Sequence, residues 1–278
     1  MLNSLVTKAR KEYSNRSLGD FLLSGIRFTA IRPLRILKNE YILPCLPINS
    51  VLNRWYVQCN YQTQVGTFQL YVPRNSYYSQ RSPKVYEPQT VEAISDHLGK
   101  DDVFYDIGAF FGYYVEVSRA IGVKSSNIHA FEADSFRASI LRQNCGAEGL
   151  NIDQRYVSDT DSNQTTTLDA YVESNPPPDV IKMDIEGEEM RALRGAKDIL
   201  SSYGPTLIVE VHPFGDYDEH NLIELLLDQE YQVGITEHQI LRADNDAPIE
   251  WLSDDGSGHA AQRLVGESDD PYMVLAVR

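Results

Sequence analysis

The sequence predicts an α/β fold around a mostly parallel sheet of seven strands. From residue 102 onward, short apolar strand patterns alternate with helical patterns, which is typical of parallel strands joined by right-handed crossovers. The last two strand patterns have no helix between them, which predicts an antiparallel pair at the C-terminal edge. Glycines and acids follow several strands, at the edge where such sheets bind ligands.

The predicted strands are short apolar runs bounded by turn residues. In chain order they are "VFYDIGA", "NIHAFEAD", "IDQRYVSD", "DVIKMDI", "TLIVEVH", "QVGITEHQIL" and "DPYMVLAVR". The predicted helices carry apolar residues on one face. They are "GYYVEVSRAIG", "SFRASILRQNCGAEG", Glu188–Ser202 and "EHNLIELLLDQEY". The polar segment 242–270 is predicted to be a long surface loop beside the site.

The chain divides into three predicted parts. Residues 1–54 form a basic helical arm, residues 55–85 a β-hairpin lead-in, and residues 86–278 the α/β domain. Within the lead-in, "VGTFQLYVP" alternates apolar and polar residues as a half-buried strand does. Two interpretations of the arm stay open. Residues 1–40 either contact a membrane surface or a lipid-linked substrate, or they pack on the domain or a second subunit.

Charge is distributed unevenly along the chain. Residues 1–60 hold nine Lys and Arg against three Asp and Glu, a net charge of +6, and the remainder carries −21. An acidic body repels polyanions, so we expect no nucleic-acid partner. The three cysteines lack metal-ligand spacing and predict inert thiols in a reducing compartment. The sequence shows no transmembrane run and no signal peptide, which predicts a cytoplasmic protein, peripheral at the membrane if the arm binds lipid.

The acidic composition also predicts adaptation to high salt. Asp outnumbers Glu by 22 to 18 and Arg outnumbers Lys by 17 to 8. Because salt screens the repulsion between these acids, we expect the protein to unfold when salt is removed. Circular dichroism during dialysis from molar to millimolar salt measures this. A protein that keeps its fold and its melting temperature throughout would contradict a halophilic origin.

The first two strands of the domain end in a predicted nucleoside-cofactor site. Asp106 places a carboxylate at the first tip, and Gly108 and Gly112 let backbone approach a ligand. Glu132 ends the second strand, where an acid suits a ribose diol. The pattern D-x-G-x-x-x-G with bulky Phe110 disfavours a dinucleotide, whose fingerprint is G-x-G-x-x-G. It favours S-adenosylmethionine, which has no phosphate.

The third predicted strand ends in Ser158 and Asp159. Their place at the next strand tip predicts contact with the adenine amino group. An ordinary strand end, without a ligand, is the alternative.

Several motifs together resemble the FkbM-type family of S-adenosylmethionine-dependent methyltransferases. They run from Tyr86 to His212 and are "YDIGAFFGYY", "AFEAD", "YVSD", "TLDAYV", "DVIKMDIEGEEMRALRGA" and "IVEVH". The resemblance implies a Rossmann-like class I methyltransferase fold and O-methylation of sugars or natural products. It also implies that the acids and glycine of the first three strand tips contact cofactor. It places Lys182, Asp184 and Glu186 at the cofactor–substrate junction. Phe110 departs from the family, which commonly has a small or polar residue there.

Four acids crowd the end of the fourth strand. Asp184 and Glu186 precede the next helix and are predicted to serve chemistry, with Asp184 near both cofactor and acceptor. Glu188 and Glu189 lie in the first helical turn, where acids favour the positive end of the helix dipole. We therefore expect Asp184→Asn to abolish turnover and Glu189→Gln to cost little.

Methyl transfer to a hydroxyl needs a group that removes the proton. His212, just after the fifth strand, is the favoured base because histidine titrates near neutrality. Asp184 and Glu210 lie at neighbouring strand ends. A structural histidine is the alternative. No metal is predicted, although Asp184, Glu186, Glu210 and His212 together have ligands that suit Mg²⁺ or Mn²⁺.

These observations lead to one main functional hypothesis. The chain is predicted to be an S-adenosylmethionine-dependent O-methyltransferase acting on a small-molecule or glycan acceptor, lipid-linked if the arm binds membranes. The alternatives are methyl esterification of a uronic acid, metal-assisted O-methylation and a non-catalytic cofactor-binding scaffold. A nicotinamide-dependent oxidoreductase is a further alternative. The sequence leaves the acceptor atom and the oligomeric state open.

Overall fold

The computed structural model describes residues 56–74, 76–82, 86–146, 149–212, 219–237, 249–252 and 271–278. The predicted arm of residues 1–54 lies outside the described residues, as does most of the predicted loop 242–270. Among the helices of the described ranges, none is both long and apolar enough to cross a bilayer.

The lead-in forms the predicted hairpin. Strands β1 (Tyr56–Gln62) and β2 (Thr67–Pro73) pair antiparallel. Thr63 closes the turn: its backbone N–H donates to the Gly66 carbonyl at 2.8 Å, and its hydroxyl donates to the same oxygen at 2.9 Å. Two helices follow, α1 (Tyr77–Arg81) and α2 (Pro88–His97).

The main sheet has eight strands in the described ranges. They are β3 (Phe104–Ile107), β4 (Ile128–Phe131), β5 (Asn151–Asp153), β8 (Val180–Met183), β9 (Thr206–Val211), β10 (Gln232–Glu237), β11 (Glu250–Trp251) and β12 (Tyr272–Val277). Their order is β11-β10-β12-β9-β8-β3-β4-β5. Along this order, β5, β4, β3, β8 and β9 pair in parallel with their neighbours, and β12 runs antiparallel to both β9 and β10. The predicted mostly parallel sheet with a C-terminal antiparallel pair is confirmed. The eighth strand, β11, lies outside that pair and replaces part of the predicted loop.

Helices cover both faces of this sheet. They are α3 (Tyr113–Ile121), α4 (Ser135–Cys145), α5 (Leu168–Tyr171), α6 (Glu189–Arg194), α7 (Lys197–Ser202) and α8 (Glu219–Asp228). The buried residues form two apolar clusters. The hairpin, α2, α3 and α4 contribute to one, and α5 to α8 contribute to the other. Burial on both sides explains why the central strands read as continuous apolar runs.

The helix predicted over Glu188–Ser202 is wrong in its continuity, because it breaks into α6 and α7 at Gly195. A Cβ at Gly195 would lie 2.1 Å from the Ser158 carbonyl oxygen, so a neighbouring loop packs directly on this backbone. Asp169 then caps the second piece by accepting hydrogen bonds from the backbone N–H groups of Asp198 and Ile199.

The segment predicted as the third strand, "IDQRYVSD", forms parts of two separate strands in the structure. Strand β5 ends at Asp153, whose carboxylate accepts hydrogen bonds from the backbone and guanidinium of Arg155 and turns the chain out of the sheet. Strand β6 (Tyr156–Val157) then pairs with β7 (Thr165–Thr166) in a separate two-stranded sheet. The prediction that Ser158 and Asp159 lie at the tip of the third main-sheet strand is therefore wrong.

Gly112 provides a test of packing between α3 and α4. It is left-handed, with φ of 89°, and an added Cβ would lie 2.3 Å from Cys145 Sγ and 2.7 Å from Leu141 Cδ1. We expect Gly112→Ala to lower the free energy of unfolding by about 2–4 kcal/mol, from backbone strain plus overpacking. Denaturant titration measures the loss.

Gly122→Ala is the matched control. Gly122 is also left-handed, with φ of 112°, but a Cβ there meets Lys100 Cβ at 3.6 Å, an ordinary contact. Its cost should stay near the strain alone, about 1–2 kcal/mol. Equal costs for the two variants would contradict the packing role of Gly112.

Candidate active site

The strand order gathers polar groups along one edge of the sheet. Parallel strands β4, β3, β8 and β9 lie side by side, so their carboxyl ends meet. These ends carry Glu132 after β4, Asp106 within β3, Asp184 after β8, and Glu210 with His212 at the end of β9. Five of the predicted site residues are therefore brought to one edge by the fold itself.

Gly108 lets the loops after β3 and β8 touch. Its φ is 85°, and an added Cβ would lie 1.9 Å from the Asp184 carbonyl oxygen. The Asp184 N–H donates to the Ile107 carbonyl at 2.9 Å, and the Gly108 N–H donates to the Phe131 carbonyl at 2.9 Å. The absence of a side chain at Gly108 is thus explained by contact with the loop that carries Asp184.

Asp106 is a fully buried carboxyl group. Neither of its side-chain oxygens has a hydrogen-bond partner among the described residues. Burial raises the pKa of Asp106 to about 6, with Lys182 lowering it and Asp184 and Glu87 raising it. Since buried polar groups in folded proteins are nearly always satisfied, this carboxyl group fits a ligand that donates hydrogen bonds to it.

Glu132 ends β4 in a backbone cradle. One oxygen accepts from the Phe110 N–H at 3.0 Å and the other from the Asp134 N–H at 2.9 Å. Burial raises the pKa of Glu132 to about 7, against the lowering effect of Arg137. Each oxygen keeps an unused lone pair, so the group still suits a ribose diol.

Phe110 sits beside this cradle in a strained conformation, with φ of 49°. The Arg137 guanidinium lies 4.3 Å from the centroid of the Phe110 ring. The Tyr78 ring packs against the same ring, with the two centroids 5.4 Å apart. The unusual residue at this position is therefore held by aromatic and cationic contacts.

Lys182 lies inside β8, with only 3% of its side chain exposed. Its Nζ is 3.5 Å from Asp184 Oδ2 and 4.5 Å from the centroid of the Tyr114 ring. Burial lowers the pKa of Lys182, but the charges of Asp184 and Asp106 outweigh it and raise the pKa above its usual value. The predicted pairing of Lys182 with Asp184 is present in the structure.

His212 is buried among three carboxyl groups. Its Nδ1 lies 3.2 Å from Glu189 Oε1, and its Nε2 lies 3.5 Å from Glu210 Oε1 and 3.8 Å from Asp184 Oδ1. Burial lowers the pKa of His212, but the Glu189 hydrogen bond and the charges of Asp184 and Glu210 outweigh it and raise the pKa to about 9. The expectation that His212 titrates near neutrality is contradicted by these contacts.

Glu210 shares this environment. Burial raises the pKa of Glu210 well above its usual value, and Asp184 and Glu87 add to the effect while His212 and Lys182 oppose it. One ligand atom from each of Asp184, Glu210 and His212 lies within 4.8 Å of the others, close enough to hold a metal ion. The predicted metal alternative thus retains three of its four residues.

The structure places two of the four acids after β8 differently from the predicted division, and the predicted chemical role of Glu186 stays a prediction. Glu186 is exposed, with φ of 56°, and within the described ranges it takes no part in the hydrogen bonds or ion pairs around His212. Glu189 is fully buried and accepts hydrogen bonds from the backbone N–H groups of Ile185 and Gly187 as well as contacting His212. The position of Glu189 in the first helical turn does not indicate its contact with His212, because only tertiary packing turns its side chain inward.

Ser158 and Asp159 are placed differently from each other. Ser158 is buried and its hydroxyl donates to Asp159 Oδ1 at 3.4 Å, while Asp159 is exposed. Their predicted contact with an adenine amino group stays a prediction.

Sequence reasoning missed two further residues of this cluster, Glu87 and Tyr114. Glu87 is buried, has φ of 46°, and accepts a hydrogen bond from the Tyr114 hydroxyl. Its charge raises the pKa of both Asp106 and Glu210. A glutamate directly before Pro88 reads as a turn, and nothing local indicates that the turn packs on the strand tips.

Strand order and tip residues define the class of protein. The order β5-β4-β3-β8-β9-β12-β10, with β12 reversed between its neighbours, is that of a Rossmann-like class I methyltransferase fold.

Comparison with known proteins relates the chain to one family. A profile for the methyltransferase FkbM domain matches residues 120–233, which overlaps the motif-based resemblance but begins after its first motif. Over this range the chain is similar to methyltransferases of the FkbM family. It is similar to the hexuronic acid methyltransferase AglP of Haloferax volcanii, with 26% identity over 178 residues that cover 54% of this chain and 72% of the relative.

Two crystal structures are similar at lower identity. Methyltransferase FkbM from Methylobacillus flagellatus KT matches with a TM-score of 0.47 and 17% identity, over 64% of this chain but only 44% of that one. An rRNA methylase from Streptococcus thermophilus matches with a TM-score of 0.44 and 13% identity, over 70% of this chain and 97% of that one.

The burial of Asp106 predicts a pH-dependent gain in stability when it is replaced. A carboxyl group with a folded pKa of about 6 and a lower unfolded pKa destabilises the fold as pH rises through 6. We expect Asp106→Asn to raise the free energy of unfolding by about 1–3 kcal/mol at pH 7.5. Denaturant titrations of both proteins at several pH values measure the difference.

The pH series contains its own control. At a pH well below the ordinary pKa of 3.8, both states of the wild-type protein hold the proton, so the two proteins should differ little. A variant that is less stable than wild type at pH 7.5 would show that the Asp106 carboxylate has a stabilising partner.

Proposed function

We propose that the chain uses S-adenosylmethionine to methylate an oxygen of a sugar acceptor in a glycan. The FkbM domain and the similarity to a hexuronic acid methyltransferase support this class of reaction. The observation that carries the proposal is the edge of the sheet itself. Two groups of residues meet there. We call Asp106 and Glu132, which would bind the methyl donor, the donor side, and Asp184, Glu210 and His212, which would meet the acceptor, the reaction side.

The donor side fits this cofactor. S-Adenosylmethionine, when bound, supplies a methyl carbon made electrophilic by the sulfonium. Glu132 would hold the ribose hydroxyls, because its carboxyl group stands at the tip of the strand next to β3. Asp106 would hold the cationic methionine part, because its two oxygens have no hydrogen-bond partner among the described residues. A cation there would also favour the ionised form of Asp106.

The charges of the reaction side favour a carboxylate oxygen as the acceptor. A hydroxyl must lose a proton during transfer, whereas a carboxylate has none to lose. His212 already carries a proton at neutral pH because its pKa is raised to about 9, so it is poorly suited to remove another. As an imidazolium it would instead donate a hydrogen bond from Nε2 to the sugar carboxylate. We therefore propose a hexuronic acid as the acceptor and its methyl ester as the product.

A second candidate function is metal-assisted transfer to a sugar hydroxyl. It is favoured by the convergence of Asp184, Glu210 and His212 within 4.8 Å. A divalent ion would have to displace the proton from His212, but it would lower the pKa of a bound hydroxyl. His212 as a general base in metal-free transfer stays a prediction.

A lipid-linked acceptor at the membrane is part of the proposal. The basic arm carries a local charge of +6 over residues 1–60, which suits an anionic membrane surface. The sugar would then reach the strand tips of a cytoplasmic domain.

Product chemistry separates the ester from the ether. Purified enzyme, S-adenosylmethionine labelled on the methyl group and a glycan ending in hexuronic acid should give a labelled product. Mild alkali hydrolyses a methyl ester and leaves a methyl ether intact, so we expect the label to be released. Label that resists alkali would identify a hydroxyl acceptor and contradict the ester.

The pH dependence and two controls sharpen this experiment. Since the imidazolium is lost as pH rises through about 9, activity on the carboxylate should fall in that range, whereas a histidine base would make activity rise. The same glycan with its carboxyl group reduced to an alcohol should be inactive. Activity that vanishes with a chelator and returns with Mg²⁺ would favour the metal-assisted alternative.

A further inference from the structure

Glu189 is a fully buried acid at the start of the short helix α6. Its neighbour Glu188 is exposed and pairs with Arg191 at 3.4 Å. Burying a carboxylate is costly unless hydrogen bonds and charges compensate it. The contacts of Glu189 therefore explain why the chain keeps an acid inside at this position.

Two backbone donors come from the loop that carries Asp184. The Gly187 N–H lies 3.1 Å from both Glu189 oxygens, and the Ile185 N–H donates to Oε1 at 3.3 Å. The loop contains two left-handed residues in succession, Glu186 with φ of 56° and Gly187 with φ of 102°. A non-glycine residue in that region is strained, so the Glu189 carboxylate holds the loop in a conformation that it would otherwise leave.

The third contact is the imidazole of His212. Glu189 Oε1 lies 3.2 Å from Nδ1, which makes Nδ1 a proton donor and fixes the rotation of the ring. The opposite nitrogen, Nε2, then faces Glu210 and Asp184 at 3.5 and 3.8 Å. One carboxylate thus contacts both elements of the reaction side, the loop of Asp184 and the ring of His212.

We propose that Glu189 is a positioning residue that holds the His212 ring and the Asp184 loop in register with each other. For its effect on activity this inference rests on the proposed function. The carboxylate fixes which nitrogen of His212 faces the acceptor and keeps the Asp184 side chain beside it. This reverses the expectation from sequence that Glu189→Gln costs little.

The acids that face His212 determine what removal of Glu189 does. They are Glu189 on α6, Asp184 after β8 and Glu210 on β9, and their charges together raise the pKa of the ring. Glutamine at position 189 removes the charge and replaces one of the two acceptor oxygens with an NH₂ donor, which then faces the Gly187 N–H or the ring N–H of His212. The Asp184 and Glu210 charges remain.

Nuclear magnetic resonance of the histidine rings tests this directly in the full chain and needs no substrate. The His212 signal is assigned by its loss in His212→Gln. At a fixed neutral pH we expect the wild-type ring to carry a proton on Nδ1 that its hydrogen bond to Glu189 protects from exchange with solvent, and we expect this proton to exchange at least tenfold faster in Glu189→Gln. Glu188→Gln is the matched control, since it removes an adjacent acid of the same helix turn and should leave the exchange rate unchanged.

Kinetics complete the test. With the acceptor that wild type uses, Glu189→Gln should lower kcat by about 100-fold. Glu189→Asp, which keeps the charge, should recover part of the activity. Unchanged exchange of the His212 Nδ1 proton in Glu189→Gln would overturn the proposal.

Two outcomes keep the inferences distinguishable. If Glu189→Gln does not fold, a wild-type His212 that lacks a protected proton on Nδ1 would still overturn the positioning role. If the exchange rates behave as expected while no glycan is methylated, the proposed function fails and the positioning of His212 stands.

Discussion

The site depends on one buried charge, the ammonium of Lys182. Lys182 lies in β8, which pairs with the other central strand, β3. In this pairing Asp106 of β3 is opposite Lys182. Asp184, Asp106, Glu87 and Glu210 all act on it and raise its pKa. Because unpaired carboxylates inside a protein are costly, these acids can gather at the strand tips only around such a cation. Replacing Lys182 by an apolar residue would leave the acids without this compensation.

The hairpin and its following helix support the site from outside the sheet. Tyr56 meets Phe111 with ring centroids 6.0 Å apart, and Tyr61 meets Tyr113 at 5.3 Å. Tyr78 of α1 packs at 5.4 Å from Phe110, whose backbone N–H donates to Glu132. The lead-in of residues 55–85 is therefore continuous with the core that shapes the donor side. The three-part division of the chain stays a prediction.

The sequence predicted those parts of the site that depend on strand ends. Alternating strand and helix patterns place Asp106, Glu132 and His212 at one edge, because parallel strands align their carboxyl ends. It could not predict which acid after β8 faces inward. Glu186 and Glu189 differ in burial because of a left-handed turn and the packing of α6, and neither is visible in local pattern. Local pattern also does not show that the small size of Gly112 serves contact with Cys145 and Leu141, and its predicted contact with the cofactor stays a prediction.

The charge of the whole protein bears on the proposed acceptor. Residues 61–278 carry −21, so a hexuronate approaches against a repulsive field that salt screens only in part. Binding of a hexuronate at this edge therefore depends on donated hydrogen bonds more than on net charge, because three carboxyl groups surround the His212 ring. In the proposed function the protonated Nε2 of His212 would be such a donor, and the basic residues of the arm add positive charge elsewhere in the chain. An acidic protein can in this way take an acidic sugar, with the histidine proton retained for recognition.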